Sequence, residues 1–367
     1  MNQDFILGRL SEIMSWDNDE ARKEFAWLRL MSRMKYDGYQ DFLAGARFVE
    51  SLADWLQQFD IEERKVAYDF VRNSLVYIST AEMNHLVELF YPETVVWRLQ
   101  QEVARRLHIP PWQVWATEPS REIFDRLRRQ SLFIELSDGA RIDVFRRANA
   151  GLITNEQVVT APRLNDEKMN ELLEDLRRDL NDPKARFAFV FLIDDFVGSG
   201  TTLLRKKDDG SWTGKLFRFW DDNKDRFPAY VEDHWALCVH HYLATERARA
   251  TIDDRNRQIA SERAKGEWFR TVQFSYGAVL PSDLPLSPGR HADFVKLTDK
   301  YYDSAIENRH TKVAGTDAKL GFGQCALPLV LEHNTPNNSV AILWADTAGS
   351  NGQHAMRPLF RRRQRHA

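Results

Sequence analysis

The chain has 367 residues, which exceeds the usual size of a single core and favours two domains or one domain with a large appendage. Hydrophobic residues make up 43% and charged residues 29% of the sequence, and the formal charge of −3 provides no global field that would attract nucleic acid or an anionic membrane. The two cysteines, Cys238 and Cys325, are far apart and lack metal-ligand spacing, which argues against a disulfide framework and a structural zinc site.

The first part of the chain has a helical pattern. Apolar residues recur at helical spacing over residues 4–108, for example Phe25, Leu28 and Met31, and glycine is sparse. This pattern predicts several amphipathic helices joined by short turns. We therefore expect an all-helical domain over residues 1–110.

The pattern then changes to apolar runs separated by turn residues, and helical stretches at Glu167–Leu180 and Ala244–Ile259 separate several of these runs. Alternation of this kind predicts an α/β domain with a largely parallel sheet over residues 111–367. The candidate strands are Leu132–Leu136, Phe187–Ile193, Trp235–His240, Thr271–Tyr276, Ala326–Glu332 and Val340–Trp344.

One segment combines an apolar run, two acids and a small-residue loop: Val190–Leu203 reads VFLIDDFVGSGTTL. The run predicts a buried strand that ends at Asp194 and Asp195, and a helix is expected to open at Leu203. Glycine lets the backbone approach an anion, while main-chain N–H groups, hydroxyls and a helix N-terminus favour phosphate. The predicted phosphate loop consists of Gly198, Ser199, Gly200, Thr201 and Thr202.

The two acids precede the phosphate loop, where carboxylates can accept hydrogen bonds from the hydroxyls of a sugar whose 5′-phosphate lies in the loop. Ribose 5-phosphate fits that arrangement. The alternative is a strand that ends in a Gly/Ser turn beside two solvated acids.

Four hydrophobic residues, two acids and a Thr/Ser-Gly-x-Thr loop resemble the phosphoribosyl pyrophosphate motif of type I phosphoribosyltransferases. The resemblance implies that Asp194 and Asp195 bind the ribose and, through it, contact magnesium indirectly. It assigns the 5′-phosphate to the loop from Ser199 to Thr202. Gly198 stands where the family commonly has threonine.

The family also has an earlier strand followed by a short pyrophosphate-binding loop. Here the strand Leu132–Leu136 runs into such a loop, and Arg141 is the cation that we expect to bind pyrophosphate because guanidinium groups pair with phosphate oxygens. The alternative is a surface turn that leads into an ordinary basic face. The loop residues assigned to pyrophosphate are Ser137, Asp138, Gly139 and Arg141.

A polar loop follows the candidate strand Ala326–Glu332 near the C-terminus. Ligand sites in open α/β sheets lie at the carboxyl ends of strands, so Glu332, His333 and Asn334 are candidates to contact the base or acceptor. An ordinary Asn/Thr/Pro turn is the alternative. With this loop and its helical front, the whole chain resembles the phosphoribosyltransferase-like proteins of bacterial conflict and antiphage loci.

The resemblance implies an enzyme, a glycosyltransferase that binds phosphoribosyl pyrophosphate and magnesium and acts at the anomeric carbon with pyrophosphate leaving. The sequence does not identify the acceptor. The alternative is a non-catalytic sensor that binds a nucleotide or phosphoribosyl ligand and signals to a protein partner through the N-terminal helices. A third hypothesis makes those helices an oligomerisation or docking surface. Without a signal peptide or a membrane span in the sequence, we expect a cytoplasmic protein. The formal charge of −3 disfavours nucleic acid as a partner.

Overall fold

The structure is a computed structural model that describes residues 3–42, 47–160, 165–263, 267–307, 311, 317–349 and 354–362. The first helices are α1 Gln3–Met14, α2 Asn18–Met34, α3 Phe48–Leu56, α4 Arg64–Asn73, α5 Thr80–Leu89, α6 Val96–Leu107 and α7 Glu118–Arg129. They are followed by α8 Ile142–Ala148, α9 Asp166–Asp179, α10 Lys215–Asn223, α11 Phe227–Tyr230, α12 Glu246–Glu262 and α13 Pro288–Lys300. The strands are β1 Val76–Ile78, β2 Ser131–Glu135, β3 Val158–Val159, β4 Phe187–Val197, β5 Arg205–Lys206, β6 Trp212–Thr213, β7 Val231–Thr245, β8 Val272–Leu280 and β9 Leu329–Leu331. None of the described helices is both long enough and apolar enough to cross a membrane.

The chain forms two compact units: unit 1 comprises Met1–Met83 with Ser282–Ala367, and unit 2 comprises Asn84–Pro281. This division differs from the predicted boundary between residues 110 and 111. The physical reason is that side chains from both ends of the chain share one core, whereas helices before residue 110 pack on the large sheet. Phe48 stacks on Phe360 in unit 1, and Phe90 packs edge-on against Phe191 in unit 2.

Unit 1 contains helices α1 to α4 and α13 and a short strand, β1, that the helical pattern did not predict. β1 and β9 form a two-stranded parallel sheet in which Val76 pairs with Leu329 and Ile78 with Leu331. The predicted strand Val340–Trp344 is wrong, because Ala341–Leu343 forms a 3-10 helix. That segment is apolar because it is buried in the core of unit 1, and burial alone does not distinguish a strand from a helical turn.

Unit 2 is built on a five-stranded parallel sheet with strand order β3-β2-β4-β7-β8, which confirms the predicted mixed α/β class with a parallel sheet. The sheet is apolar on both faces, as expected where helices cover a parallel sheet. Phe133 stacks on Phe191 on one face, while Leu132, Val190 and Leu237 belong to the core on the other.

Strand β4 extends beyond its predicted end at Ile193, because β7 continues to pair with it. Asp194 pairs with His241, and the register runs on to Val197 and Ala244. The two acids therefore lie inside the sheet, and the phosphate loop begins where the pairing stops.

The helix expected to open at Leu203 is absent from this part of the structure: residues 201–204 form a turn, and the chain enters the antiparallel hairpin of β5 and β6. The turn closes because the N–H groups of Leu203 and Leu204 both donate to the Gly200 carbonyl. The helix that follows the loop is α10, which begins at Lys215 after the hairpin.

Candidate functional site

The acid pair sits near the carboxyl end of β4, and Asp194 is only 3% exposed. Its Oδ1 accepts hydrogen bonds from the Ser137 hydroxyl and, at 3.2 Å, from the Asp195 main-chain N–H. Its Oδ2 lies 2.5 Å from Lys215 Nζ. Burial raises the pKa of Asp194, and the Lys215 ammonium opposes that shift.

Asp195 is half-buried and lies on the opposite face of the sheet from Asp194, because successive side chains of a strand alternate. Its Oδ1 accepts a hydrogen bond of 2.8 Å from the Phe196 N–H. Its negative charge also acts on Arg141: burial lowers the pKa of Arg141, and Asp143 and Asp195 oppose that shift. Asp195, the more accessible carboxylate of the pair, thus lies in the electrostatic field of Arg141, which belongs to the loop after β2.

The phosphate loop is compact at its centre, where Gly200 has a φ of +73°. A Cβ on Gly200 would lie 3.2 Å from the Ala248 carbonyl oxygen on α12, so glycine suits both the backbone conformation and the close packing. Thr201 N–H donates to Ser199 Oγ at 3.3 Å. Within the described part of the chain, the N–H groups of Ser199, Gly200 and Thr202 have no protein acceptor and can therefore donate to an anion.

Helix α12 holds the loop through its N-terminal cap. Thr245 Oγ1 donates to the Gly198 carbonyl at 2.6 Å and accepts from the Ala248 N–H at 3.0 Å. Further along the helix, Arg255 donates to the Leu204 carbonyl at 2.7 Å and to Thr201 Oγ1 at 3.4 Å. The helix N-terminus and a guanidinium group both make the loop region favourable for a phosphate.

The structure brings the predicted pyrophosphate loop to the acid pair. β2 and β4 are neighbours, with Glu135 paired to Ile193, and Ser137 donates directly to Asp194. Asp138–Ala140, which contains Gly139, forms a 3-10 turn after which Arg141 adopts a left-handed conformation with φ 49°. Arg141 Nη1 donates to Asn84 Oδ1 at 2.8 Å, which fixes the guanidinium beside the acids.

Glu135, the last residue of β2, is a half-buried acid that sequence reasoning did not single out. Burial raises its pKa to about 7, and the nearby charges of Asp138 and Asp143 add to the shift. The available signal was a carboxylate that ends an apolar strand, the same signal that identified Asp194. Perturbed acids of this kind cluster at functional sites.

Lys215 is the second residue that sequence reasoning missed, because the hairpin separates it from the loop. It begins α10, and its main-chain N–H donates to the Thr202 carbonyl at 2.9 Å. The preceding Gly214 has φ 122°, and a Cβ there would lie 2.3 Å from the Leu203 carbonyl oxygen. The sequence signal for Lys215 was the glycine before it. A glycine lets the start of the helix approach another segment closely, and the lysine that follows then brings a positive charge to that place.

The adjacent histidines of β7 point to opposite faces, as expected for a strand. His240 stacks on Phe90, and its Nδ1 lies 2.9 Å from Ser275 Oγ. His241 stacks on Tyr276, and burial together with the Lys215 charge lowers its pKa to about 3. Both rings pack as buried, neutral groups.

Glu332, His333 and Asn334 belong to unit 1, whereas the acid pair belongs to unit 2. They follow β9, which pairs with β1 and is not a strand of the five-stranded sheet, so the sheet edge from which their role was inferred is a different one. Glu332 is fully buried; its Oε1 lies 3.1 Å from His333 Nδ1, and its Oε2 accepts from Thr80 Oγ1 at 3.3 Å. Their assignment to the base or acceptor stays a prediction.

The donor set suits magnesium only as a partner of a bound phosphate. In the described residues, no group of three His, Cys, Asp or Glu side chains could hold a metal. Mg²⁺ usually keeps several waters and binds through substrate phosphates with one or two carboxylates, and the half-buried Asp195 provides one carboxylate of that kind.

The chain matches a known protein family. The family model PRTase-CE, which describes a phosphoribosyltransferase-like family, matches residues 52–362. The match covers more than half of the chain and includes the acid pair and both predicted loops of unit 2. No curated protein and no solved structure matches the chain.

Proposed function

Because the chain belongs to PRTase-CE, a family of phosphoribosyltransferase-like proteins, we propose that it binds phosphoribosyl pyrophosphate at the carboxyl ends of β2 and β4. The observation that supports this proposal most strongly is the hydrogen bond from Ser137 to Asp194. It joins the predicted pyrophosphate loop to the acid pair, which is continuous with the phosphate loop. Two segments identified separately in the sequence, the pyrophosphate loop and Val190–Leu203, thereby meet at one edge of the sheet.

In this proposal the 5′-phosphate occupies the loop from Gly198 to Thr202. The N–H groups of Ser199, Gly200 and Thr202 donate to its oxygens, and the N-terminus of α12 adds a favourable dipole. The hydroxyl of Thr201 accepts a hydrogen bond from Arg255, which leaves its own proton for a phosphate oxygen.

The ribose hydroxyls lie at the acid pair, and the pyrophosphate lies along Ser137–Arg141. We assign the neutralisation of that group to Arg141, because guanidinium groups pair with phosphate oxygens. The reaction breaks the bond between the anomeric carbon and a pyrophosphate oxygen, and the leaving group keeps the electron pair. Bound magnesium supplies positive charge to the pyrophosphate. The chain orients the sugar and stabilises the departing charge.

An acceptor nucleophile forms the new bond to the anomeric carbon and loses its proton to a base. The base or acceptor role of Glu332, His333 and Asn334 remains a prediction from the sequence, and within unit 1 the Glu332 carboxylate lies 3.1 Å from His333 Nδ1. Replacing His333 with Gln tests this assignment. Transfer to acceptors slows while hydrolysis of the donor is maintained if the assignment is correct.

A sensor that binds the same donor and signals to a protein partner is the second candidate. Exposed apolar side chains on the N-terminal helices favour it: Leu30 and Met34, one helical turn apart on α2, are 55% and 69% exposed. A role in antiphage defence belongs to the same proposal. If the protein is a sensor, the donor binds without chemical turnover.

The test is to incubate the protein with phosphoribosyl pyrophosphate and Mg²⁺, and to measure both binding by calorimetry and pyrophosphate release. We expect Asp195→Asn to weaken binding at least about 100-fold. The substitution removes the carboxylate that accepts hydrogen bonds from the ribose hydroxyls and the negative charge that acts on Arg141. Asp208→Asn, in the exposed hairpin tip, is the matched control. Binding without release supports the sensor, whereas a wild-type protein that does not bind the donor contradicts both candidates.

A further inference from the structure

Lys215 contacts both the phosphate loop and the acid pair. Its main-chain N–H donates to Thr202 at the end of the phosphate loop, and the next N–H of α10, from Leu216, donates to the Leu203 carbonyl at 3.0 Å. Its ammonium meets the Asp194 carboxylate at 2.5 Å. The side chain is 25% exposed, and the carboxylate it contacts is almost entirely buried.

We propose that Lys215 is a positioning residue that fixes Asp194 as a tie between the phosphate and pyrophosphate loops, so that Asp195 makes the ribose contact. This inference rests on the proposed function and divides the acid pair into two roles. Asp194 organises the site, and Asp195 meets the ligand.

The hydrogen bonds of Asp194 support this division. One of its oxygens accepts from Ser137 and from the Asp195 N–H, and the other faces Lys215. A ribose hydroxyl would have to displace one of these partners and enter a position that is 3% exposed. Asp195 is more accessible and lies on the face where Arg141 acts.

The buried Asp194 carboxylate requires the positive charge of Lys215 beside it. A buried carboxylate that loses its cation leaves an uncompensated charge, which costs far more than removing both partners together. Ser137 contributes only a neutral hydrogen bond, so Lys215 is the charged partner in the ion pair with Asp194.

The approach of Lys215 depends on the backbone that precedes it. At Gly214 a Cβ would lie 2.3 Å from the Leu203 carbonyl oxygen and 2.9 Å from Leu204 Cα, so only glycine allows α10 to start against the phosphate loop. The β5–β6 hairpin brings the chain back to that point. The contact is therefore determined by the course of the main chain as well as by one flexible side chain.

A double-mutant cycle tests the proposal with magnesium and phosphoribosyl pyrophosphate as the probe. Calorimetry measures the dissociation constant for Lys215→Met alone and combined with Asp194→Asn or with Asp195→Asn. We expect Lys215→Met to weaken binding about 10-fold alone and in the Asp195→Asn protein, but less than about 3-fold in the Asp194→Asn protein. Lys215→Arg should recover most of the affinity, because it retains the positive charge.

The matched control is Lys224→Met, which removes another lysine at the far end of α10 that pairs with Asp221. It should bind the donor like the wild type. The Lys215→Met/Asp194→Asn protein lacks both charges, so we expect it to fold even if Lys215→Met alone does not.

The outcomes separate the two proposals. Equal losses from Lys215→Met in both acid backgrounds would indicate a general structural effect of α10 and overturn the positioning role, while the proposed function survives. Affinity unchanged by Lys215→Met overturns it as well. Failure of the wild-type protein to bind the donor overturns the proposed function and the ribose role of Asp195 together.

Discussion

Strand β4 in unit 2 contains a buried carboxylate near its carboxyl end, and strand β9 in unit 1 is followed by one, yet the two carboxylates are held differently. Asp194 in unit 2 is an internal residue of an 11-residue strand and pairs with the Lys215 ammonium. Glu332 in unit 1 follows a strand of three residues and pairs with His333 and Thr80. Only the first is continuous with a glycine loop whose N–H groups are available to an anion.

The difference shows that a polar side chain at the end of an apolar strand does not by itself indicate a ligand site. The groups that surround it decide whether it does. Around the acid pair lie the phosphate loop, the N-terminus of α12, Lys215 beside Asp194 and Arg141 in the field of Asp195, and this combination favours a phosphorylated sugar. At Glu332, the main-chain N–H donates to the Ile78 carbonyl and the carbonyl accepts from the Gln40 N–H. These bonds join β9 to β1 and to the N-terminal segment, which is the bonding expected of a core element.

Gly214→Ala should have the largest effect on the unit 2 site. Gly214 has φ 122° and ψ 173°, a region that is nearly restricted to glycine, and its Cβ would overlap the Leu203 carbonyl. We expect a loss of about 3 kcal/mol in the free energy of unfolding and a donor affinity at least about 10-fold weaker. Denaturant unfolding and calorimetry measure the two effects.

Gly210→Ala is the matched control, because Gly210 also has a positive φ of +80° but open space around its Cβ position. It should lose about 1 kcal/mol of stability with no change in donor affinity. If both variants bind the donor equally, the close approach of α10 to the loop has no role in binding.

Glu332→Gln tests the other side of the comparison. We expect a loss of about 1–2 kcal/mol in the free energy of unfolding, because the buried partners of the carboxylate are left poorly satisfied, and an unchanged donor affinity. Glu62→Gln, at an exposed acid of the same unit, should have no effect on stability. A donor affinity that falls with Glu332→Gln would remove the distinction between the two carboxylates.

Thr245→Val should have a moderate effect on the phosphate loop. It removes the hydroxyl that bonds the Gly198 carbonyl and caps α12, at a cost of about 1–2 kcal/mol. Donor affinity should fall several-fold because the loop loses its anchor. Thr245→Ser keeps the hydroxyl and should bind like the wild type, and an equal loss in both variants would assign the effect to packing of the threonine methyl group.

Glu135→Gln should have the smallest effect, visible only as a change in pH dependence. The pKa of Glu135 is raised to about 7, so the folded chain retains a proton that the unfolded chain releases near its ordinary pKa of 4.5. Stability therefore falls as the pH rises from about 4.5 through 7. The melting temperature of Glu135→Gln should match the wild type at pH 5 and exceed it by about 1–2 °C at pH 8. Glu174→Gln, at an exposed acid of α9, should show no such difference, and parallel pH profiles of wild type and Glu135→Gln would contradict the raised pKa.

The parts of the site that sequence predicted were those with local causes. An apolar run, two acids and a Gly-Ser-Gly loop follow one another directly in the sequence. Such a run of adjacent residues predicts a buried strand that ends at a tight turn able to bind an anion. The resemblance to type I phosphoribosyltransferases assigned Ser137 and Arg141 to a loop after an earlier strand. The structure brings Ser137 into contact with Asp194.

The parts that sequence missed depend on contacts between distant residues. Lys215 reaches Asp194 only because a hairpin returns the chain, whereas the sequence pattern predicted that a helix begins at Leu203. The strand before Glu332 was predicted, but its partner β1 lies in a stretch that reads as helical. Strand pairing between such segments is determined by the whole fold, which no local pattern contains.

The division of the chain also determines the order in which it can fold during synthesis. Unit 2 is continuous, so it can close its core once residue 281 has left the ribosome. Unit 1 cannot, because Phe48 and Trp55 wait for Phe360 and Ile342 from the end of the chain. The N-terminal helices therefore remain exposed to chaperones and proteases until residue 360 has been synthesised, and nascent chains truncated after residue 281 should present a protease-resistant unit 2 behind a sensitive N-terminal segment.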